Sequence, residues 1–186
     1  GFLSEAMGSA VANHAISGGL LMKSAVSYFS SAAFQSDPPD LIIWEAPVYY
    51  DISGSALDFR QIIPAIGGAC APEAAVARAD GRIAGAPASI DVPTDAKVSG
   101  IDNFLYFEAS NPAFTTFSLR VEYDDGDLEE APIDRSDRYI NEGRFFIEFS
   151  PDIRASVSRV TLVPADERET DFTMRICRTQ AAEERG

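Results

Sequence analysis

The sequence predicts an α/β segment followed by an all-β sandwich. Apolar residues recur at helical spacing only in the first third of the chain, and short alternating segments separated by turn residues follow. The charge composition changes at the same place. Residues 1–69 hold six acidic and two basic side chains, whereas residues 70–186 hold 23 and 13. We therefore expect an α/β domain at residues 1–66, a β-sandwich at 67–180 and a flexible tail at 181–186.

The α/β segment is predicted from a helix between two strands. Residues 20–34 have apolar side chains three and four residues apart, and the helix should end before the prolines at 38 and 39. Residues 10–15 predict a strand, and the continuous apolar run 41–44 predicts another that is buried on both faces. A short helix over residues 1–7, closed by Gly8, is expected before them.

The sandwich is predicted from eight short segments with alternating polarity. These segments are 74–84, 86–92, 104–109, 115–123, 128–134, 144–149, 157–163 and 172–178. Strands of this length between turn signals are typical of two packed antiparallel sheets. Side chains alternate between the two faces of a strand, so Phe117 and Leu119 should point inward and Arg120 outward.

The net charge of −14 excludes several classes of protein. Nucleic-acid recognition needs a concentrated basic face, which this composition does not favour. No apolar run approaches the roughly 18 residues that a membrane-spanning helix requires. We therefore expect neither a nucleic-acid binder nor a membrane-spanning protein.

Two cysteines, Cys70 and Cys177, flank the predicted sandwich. A disulfide between them would close the domain and indicate an exported protein, because disulfides persist in oxidising compartments. Two buried free thiols in a reducing compartment are the alternative.

The residues offer little material for catalysis. The single histidine, His14, has no nucleophile and carboxylate at a spacing that indicates a triad, and no metal or cofactor site is evident. Gly18 and Gly19 lie between a predicted strand and a predicted helix, where backbone N–H groups can bind an oxyanion. Trp44 ends a predicted buried strand, at the edge where α/β sheets bind ligands.

Residues 13–19 (NHAISGG) and 39–50 (PDLIIWEAPVYY) resemble the last part of the SGNH hydrolase-like domain in the alginate O-acetyltransferase family of the AlgX/AlgJ type. Residues 59–70 (FRQIIPAIGGAC) resemble the linker that leads to the C-terminal module of that family. This resemblance implies an SGNH-like α/β fragment followed by a carbohydrate-binding jelly roll. It also implies a disulfide between Cys70 and Cys177.

The resemblance implies O-acetylation of an exopolysaccharide in the periplasm through a serine, histidine and aspartate. The positions of these three residues in the family fall upstream of Gly1, so we expect no nucleophile machinery in this chain. It also implies Gly18 and Gly19 as an oxyanion-side turn, with Trp44 and Tyr50 near the active-site edge. We expect the signal peptide of an exported protein to lie outside residues 1–186.

A candidate ligand face follows from the alternation within the strands. The outward side chains that suit a sugar acid are Arg120, Arg144, Phe146, Arg159 and Arg175. Arginine binds carboxylates bidentately, and an aromatic ring stacks on a sugar. The alternative is a salt-bridged surface in which the arginines pair with Glu122 and Glu148.

We therefore expect the polysaccharide-binding C-terminal portion of a periplasmic, alginate-like exopolysaccharide O-acetyltransferase. Its partners would be the polysaccharide and other proteins of a secretion or acetylation complex. The alternatives are a non-catalytic scaffold module of a polymer secretion complex and, less favoured by the residues, an esterase.

Overall fold

A computed structural model describes residues 2–8, 10–17, 20–46, 51, 53–100, 102–137 and 139–179 of the chain. The α-helices among them are α1 Phe2–Met7, α2 Leu20–Phe29, α3 Ala32–Ser36 and α4 Ala56–Gly67, and a single 3₁₀ turn spans Pro72–Ala74. The strands are β1 Ala77–Ala84, β2 Ala88–Asp91, β3 Asn103–Ala109, β4 Thr116–Tyr123, β5 Leu128–Asp134, β6 Arg144–Glu148, β7 Val157–Pro164 and β8 Glu169–Arg178.

The strands form two four-stranded antiparallel sheets. Sheet A has the order β1-β8-β3-β6, and sheet B has the order β2-β7-β4-β5. The predicted eight strands are confirmed, with boundaries that differ by a few residues. The confirmed part of the predicted fold class is therefore a mostly β protein with two antiparallel sheets and several helices.

The core of the sandwich lies between the two sheets. Phe107, Phe117 and Phe145 meet there, with ring centroids 5.0–5.5 Å apart. Phe117 and Leu119 point inward as the alternation predicts, and both are almost fully buried. Burial of these aromatic rings, together with the aliphatic side chains around them, stabilises the sandwich.

A second apolar cluster lies on the other face of sheet A, where helices α2 and α4 cover it. Phe104, Tyr106 and Phe146 of the sheet pack there against helical residues that include Val26 and Ile62. The described chain is thus layered as sheet B, sheet A and helices.

Three predictions for the first 70 residues are wrong. Residues 10–15 and 41–44 form no strand, and the exposed fraction of Leu41 is 62%. A strand needs a hydrogen-bonded neighbour, and neither segment pairs with another strand in the described chain. The predicted helix 20–34 is interrupted, because the Ser31 side chain accepts from Phe34 N and begins a new helix.

The segment 59–70 is not a simple linker, because most of it belongs to α4. Phe59, Ile62, Ile63 and Ile66 recur at helical spacing, which was the available signal. The helix ends at Gly67, and the next residue, Gly68, caps it with a φ of 81° that favours glycine. In the part of the chain covered by the structure, no helix is long and apolar enough to cross a membrane.

Candidate functional site

The five residues predicted to form one ligand face lie on two sheets. Arg144, Phe146 and Arg175 belong to β6 and β8 of sheet A, whereas Arg120 and Arg159 belong to β4 and β7 of sheet B. The prediction of a single shared face is therefore wrong. Alternation gives the face of each strand correctly, but it does not reveal which strands share a sheet.

Phe146 points away from the sandwich core, as predicted, but it is not open to a ligand. Its exposed fraction is 0%, and its ring contacts Tyr106 at a centroid distance of 5.1 Å beneath the helices. The Phe146 ring therefore packs against the helices and is part of the interface between sheet A and the helical layer.

The two arginines on sheet A are held by neighbouring groups. Arg144 forms ion pairs with Glu142 (2.8 Å) and Glu108 (3.5 Å). Arg175 donates from Nη1 to the carbonyl oxygen of Cys70 (3.0 Å), and its guanidinium lies 5.5 Å from the Tyr106 ring centroid. Both side chains therefore help to order the edge of the helical layer.

The two arginines on sheet B lie on an open, polar face. Arg120 pairs with Glu130 (2.7 Å) and Arg159 with Asp91 (2.6 Å), and both arginine side chains are nearly half exposed. In the strand register, Thr161 lies between Ser89 and Arg120, two residues after Arg159 on the same strand. Its hydroxyl is 2.9 Å from the Ser89 hydroxyl. We call Ser89, Arg120, Arg159 and Thr161 the sheet B face.

The salt-bridged alternative is correct for these two arginines, although their partners are not Glu122 and Glu148. Such exposed pairs contribute about 0–1 kcal/mol each. A ligand carboxylate can therefore compete with Glu130 and Asp91 for the two guanidinium groups.

Of the residues predicted near an active-site edge, Trp44 is the one that the structure describes. Gly18, Gly19 and Tyr50 lie outside the described residues. Trp44 is 42% exposed, and its ring contacts Phe29 and Phe59 at centroid distances of 6.4 and 6.3 Å. The tail 181–186 also lies outside the described residues.

A buried arginine between the helices and the sandwich escaped the sequence analysis. Arg135 is 2% exposed, donates to Gln61 Oε1 (2.8 and 3.0 Å), Ser30 Oγ (3.2 Å) and Arg144 O (2.8 Å), and lies over the Phe145 ring. Burial lowers the pKa of Arg135 to about 9. An arginine next to a predicted strand carries no sequence signal of such burial.

A second polar junction joins α4 to sheet B. Arg60 forms an ion pair with Glu129 and donates from Nε to the Glu148 carbonyl oxygen (2.9 Å). The Glu129 carboxylate also accepts from the Tyr123 hydroxyl (2.8 Å) and from Ser150 N (3.0 Å). These bonds fix the helical layer at a defined position on the sandwich.

The disulfide is confirmed. Cys70 and Cys177 are bonded, with Cα atoms 5.6 Å apart and a sequence separation of 107. The alternative of two free thiols is therefore excluded. Cys70 precedes β1 and Cys177 lies in β8, so the bond joins the start of the sandwich to its last strand. Cys177 also belongs to the apolar cluster beneath the helices.

Comparison with known proteins finds similarity to AlgX proteins in both parts of the chain. Residues 1–48 match the family model described as "SGNH hydrolase-like domain, acetyltransferase AlgX". The alginate biosynthesis protein AlgX of Pseudomonas syringae pv. tomato is 29% identical over 158 residues, which is 82% of this chain and 32% of that protein. AlgX of Azotobacter vinelandii is 40% identical over 73 residues, covering 39% of this chain and 15% of that protein.

A solved structure of Pseudomonas aeruginosa AlgX has the same fold. It aligns with 96% of this chain at a TM-score of 0.81 and 22% identity, and the match covers 45% of that structure's chain. The match to the curated relatives spans no more than about a third of their length. Residues 1–48 thus match the AlgX family model, the AlgX relatives are similar in sequence to much of the chain, and the solved AlgX structure shares its fold.

Proposed function

We propose that this chain is the polysaccharide-binding portion of an exported, alginate-like exopolysaccharide O-acetyltransferase. The carrying observation is that the likeness to AlgX proteins continues through the helical segment and the sandwich. The named relatives are alginate biosynthesis proteins, which supports an acidic exopolysaccharide as the ligand class.

The proposed ligand surface is the sheet B face. Arg120 and Arg159 supply guanidinium groups for sugar carboxylates, and Ser89 and Thr161 supply hydroxyls for sugar oxygens. Net charge −14 disfavours a polyanion over most of the surface, so binding requires a local concentration of arginine. Each arginine would exchange a weak pair with Glu130 or Asp91 for a ligand carboxylate.

The proposed division of labour assigns no nucleophile to this chain. In the family reaction, a serine takes the acetyl group and passes it to a sugar hydroxyl, with a histidine and an aspartate as partners. The resemblance does not place His14 at the position of that histidine, and its ring stacks on Tyr28 at a centroid distance of 4.0 Å. We assign acceptor binding to the sandwich and expect no acetyl transfer or esterase turnover from residues 1–186 alone.

The periplasm is the proposed location. The bond between Cys70 and Cys177 supports an oxidising compartment, where such bonds persist. The strand order of the two sheets supports the jelly-roll assignment for residues 67–180, since eight strands in two sheets are typical of that architecture. We assign residues 1–66 to the SGNH-like part on the match of residues 1–48.

The binding assignment is tested by calorimetric titration of the chain with a uronic-acid oligosaccharide and with a neutral oligosaccharide of equal length. Arg120→Gln/Arg159→Gln should weaken binding of the acidic ligand by about tenfold or more, which corresponds to 1.4 kcal/mol. The matched control is Arg78→Gln/Arg82→Gln, which removes two ion-paired arginines from β1 of sheet A. Absence of binding by the unmodified chain would overturn the proposed function.

A non-catalytic scaffold in a polymer secretion complex is the second candidate. The exposed apolar run 41–44 favours it, because such surface is typical of protein contacts. An assay of acetyl transfer by the native protein separates the two. Transfer to a polysaccharide acceptor supports the acetyltransferase, and binding without transfer supports the scaffold.

A further inference from the structure

A small cavity lies at one end of sheet A, where the turn before β3 meets the end of β8. It has a volume of about 200 Å³ and is lined by Lys97, Asp102, Asn103 and Arg178. Asn103 and Arg178 are direct partners in the β3–β8 ladder, and Thr179 N donates to the Asp102 carbonyl oxygen (2.8 Å). The backbone of two neighbouring strands therefore places these side chains around one space.

The wall of this cavity is built by a tightly bonded turn. Ser99 N donates to Asn103 Oδ1 (3.1 Å), and Ser99 Oγ donates to Asp102 Oδ2 (3.2 Å). Gly100 lies so close to Ser150 that a Cβ atom at this position would be 2.2 Å from the Ser150 carbonyl oxygen. The turn is thus held against the sandwich, and a ligand would meet a preformed site.

The two cations at this cavity are exposed and have no ion-pair partner among the described residues. Eight lysines and arginines in the described chain form ion pairs with carboxylates. Lys97 and Arg178 form no such ion pair with the described residues, although the net charge is −14. Two cations on one cavity, without an ion-pair partner in the part of the chain that the structure describes, provide a local site for an anion within an acidic protein.

The residue that follows the cavity-lining Arg178 has a hydroxyl with no hydrogen-bond partner among the described residues. Thr179 Oγ1 is buried and has no hydrogen-bond partner among the described residues. Thr179 follows Arg178 directly and is hydrogen-bonded to Asp102 through its backbone. Buried hydroxyls are normally satisfied, so a ligand or water oxygen is expected within its reach.

We propose that this cavity binds the carboxylate of a single acidic sugar unit of the polysaccharide. Lys97 and Arg178 would hold the carboxylate by charge-assisted hydrogen bonds, and the Asp102 carboxylate would accept from sugar hydroxyls. Its volume is below the about 300–1,000 Å³ of sites for drug-sized ligands, which favours one unit over a length of polymer. This assignment rests on the proposed polysaccharide binding and adds a second, charge-selective contact to it.

The test compares a uronic-acid tetrasaccharide with the same tetrasaccharide after reduction of its carboxyl groups, by calorimetric titration. Lys97→Gln/Arg178→Gln should weaken binding of the acidic form by about tenfold or more and leave the reduced form unchanged. Thermal unfolding midpoints should match the unmodified chain, because both side chains are exposed. The ratio of the two affinities, acidic to reduced, is the readout. A purely structural role of Lys97 and Arg178 would not change this ratio.

Arg154→Gln is the control, since it removes an exposed charge that does not line the cavity. It should keep affinity within about twofold, because exposed charges are screened by salt. An equal loss in this control would overturn the site, as would full affinity of Lys97→Gln/Arg178→Gln. Inorganic phosphate that competes as well as the acidic sugar would also overturn it, as an unselective anion site.

The outcomes separate this inference from the proposed function. If the unmodified chain binds neither tetrasaccharide, polysaccharide binding itself fails. If it binds the acidic form and only Arg120→Gln/Arg159→Gln weakens that binding, the cavity assignment fails and the sheet B face stands.

Discussion

At the scale of single residues, the charged side chains divide into exposed pairs and buried connectors. Arg120 and Arg159 are exposed and weakly paired, so a ligand can displace their partners. Arg135 instead extends from the sandwich to Ser30 and Gln61 of the helical layer, and Arg60 extends from α4 to Glu148 of the sandwich. Composition and alternation identify the first group, but burial of an arginine depends on tertiary contacts that a single sequence does not reveal.

Arg135→Ala should lower the free energy of unfolding by about 3 kcal/mol or more, because it leaves Gln61 Oε1 and the Arg144 carbonyl oxygen without their buried donor. Urea unfolding followed by fluorescence measures the change. Arg154→Ala, at an exposed arginine, is the control and should have little effect. A loss below about 1 kcal/mol for Arg135→Ala would contradict its role as a connector.

Asp58 gives a pH-dependent prediction. Burial raises the pKa of Asp58, with an opposing contribution from its hydrogen bond with Tyr139. A carboxyl whose pKa is higher in the folded state stabilises the fold at low pH, and that contribution disappears as pH rises through the raised pKa. Asp58→Asn should therefore be more favourable to stability, relative to the unmodified chain, at pH 7 than at pH 4. Urea unfolding at both pH values tests this, and the opposite order would contradict it.

At the scale of elements, α4 is the main connection between the first segment and the sandwich. It packs on β6, and its residue Ile62 is 2% exposed within the cluster beneath the helices. The next residue, Ile63, is 54% exposed. Substitution of these two adjacent isoleucines changes helix propensity equally but removes buried packing only at Ile62. A comparison of the two variants therefore measures the contribution of packing to the free energy of unfolding.

Ile62→Ala should lower the free energy of unfolding by about 2–5 kcal/mol, because it leaves a cavity in a packed cluster. Ile63→Ala should change it by less than about 1 kcal/mol, since alanine is also a good helix former. Chemical unfolding of both variants measures the difference. Equal effects would contradict the docking of α4 through its Ile62 face.

The elements also show which parts of the fold were predictable. All eight strands of the sandwich follow from local alternation and turn residues, because each strand has one face in a core. Residues 10–15 and 41–44 have strand-like composition but no strand partner in the described chain, and pairing is a tertiary property. The division of arginines between the sheets was unpredictable for the same reason, since strand order depends on long-range contacts.

At the scale of the whole molecule, one covalent bond and two polar junctions hold three layers together. The bond between Cys70 and Cys177 closes a loop of 107 residues that contains almost all of the sandwich. The net charge of −14 leaves the surface acidic, and the arginines of the sheet B face are each paired with a carboxylate. The proposed binding of an acidic polymer therefore requires the ligand to displace Glu130 and Asp91 or to reach Lys97 and Arg178.

Reduction of the disulfide should lower the free energy of unfolding by about 4–5 kcal/mol in the chain-entropy model, because a loop of this length gains much freedom when unfolded. Urea unfolding with and without reductant tests this value. Cys70→Ser/Cys177→Ser should reproduce the reduced midpoint and show no response to reductant. Equal midpoints for the oxidised and reduced chains would contradict the stabilising role.

The most direct test of polysaccharide binding by the sandwich is a nitrogen-15 NMR titration of the chain with a uronic-acid oligosaccharide. We predict saturable amide shift changes at Arg120, Arg159 and Thr161, with further changes around Lys97 and Arg178. Changes confined to α2 and α4, or no saturable change at any residue, would contradict the account.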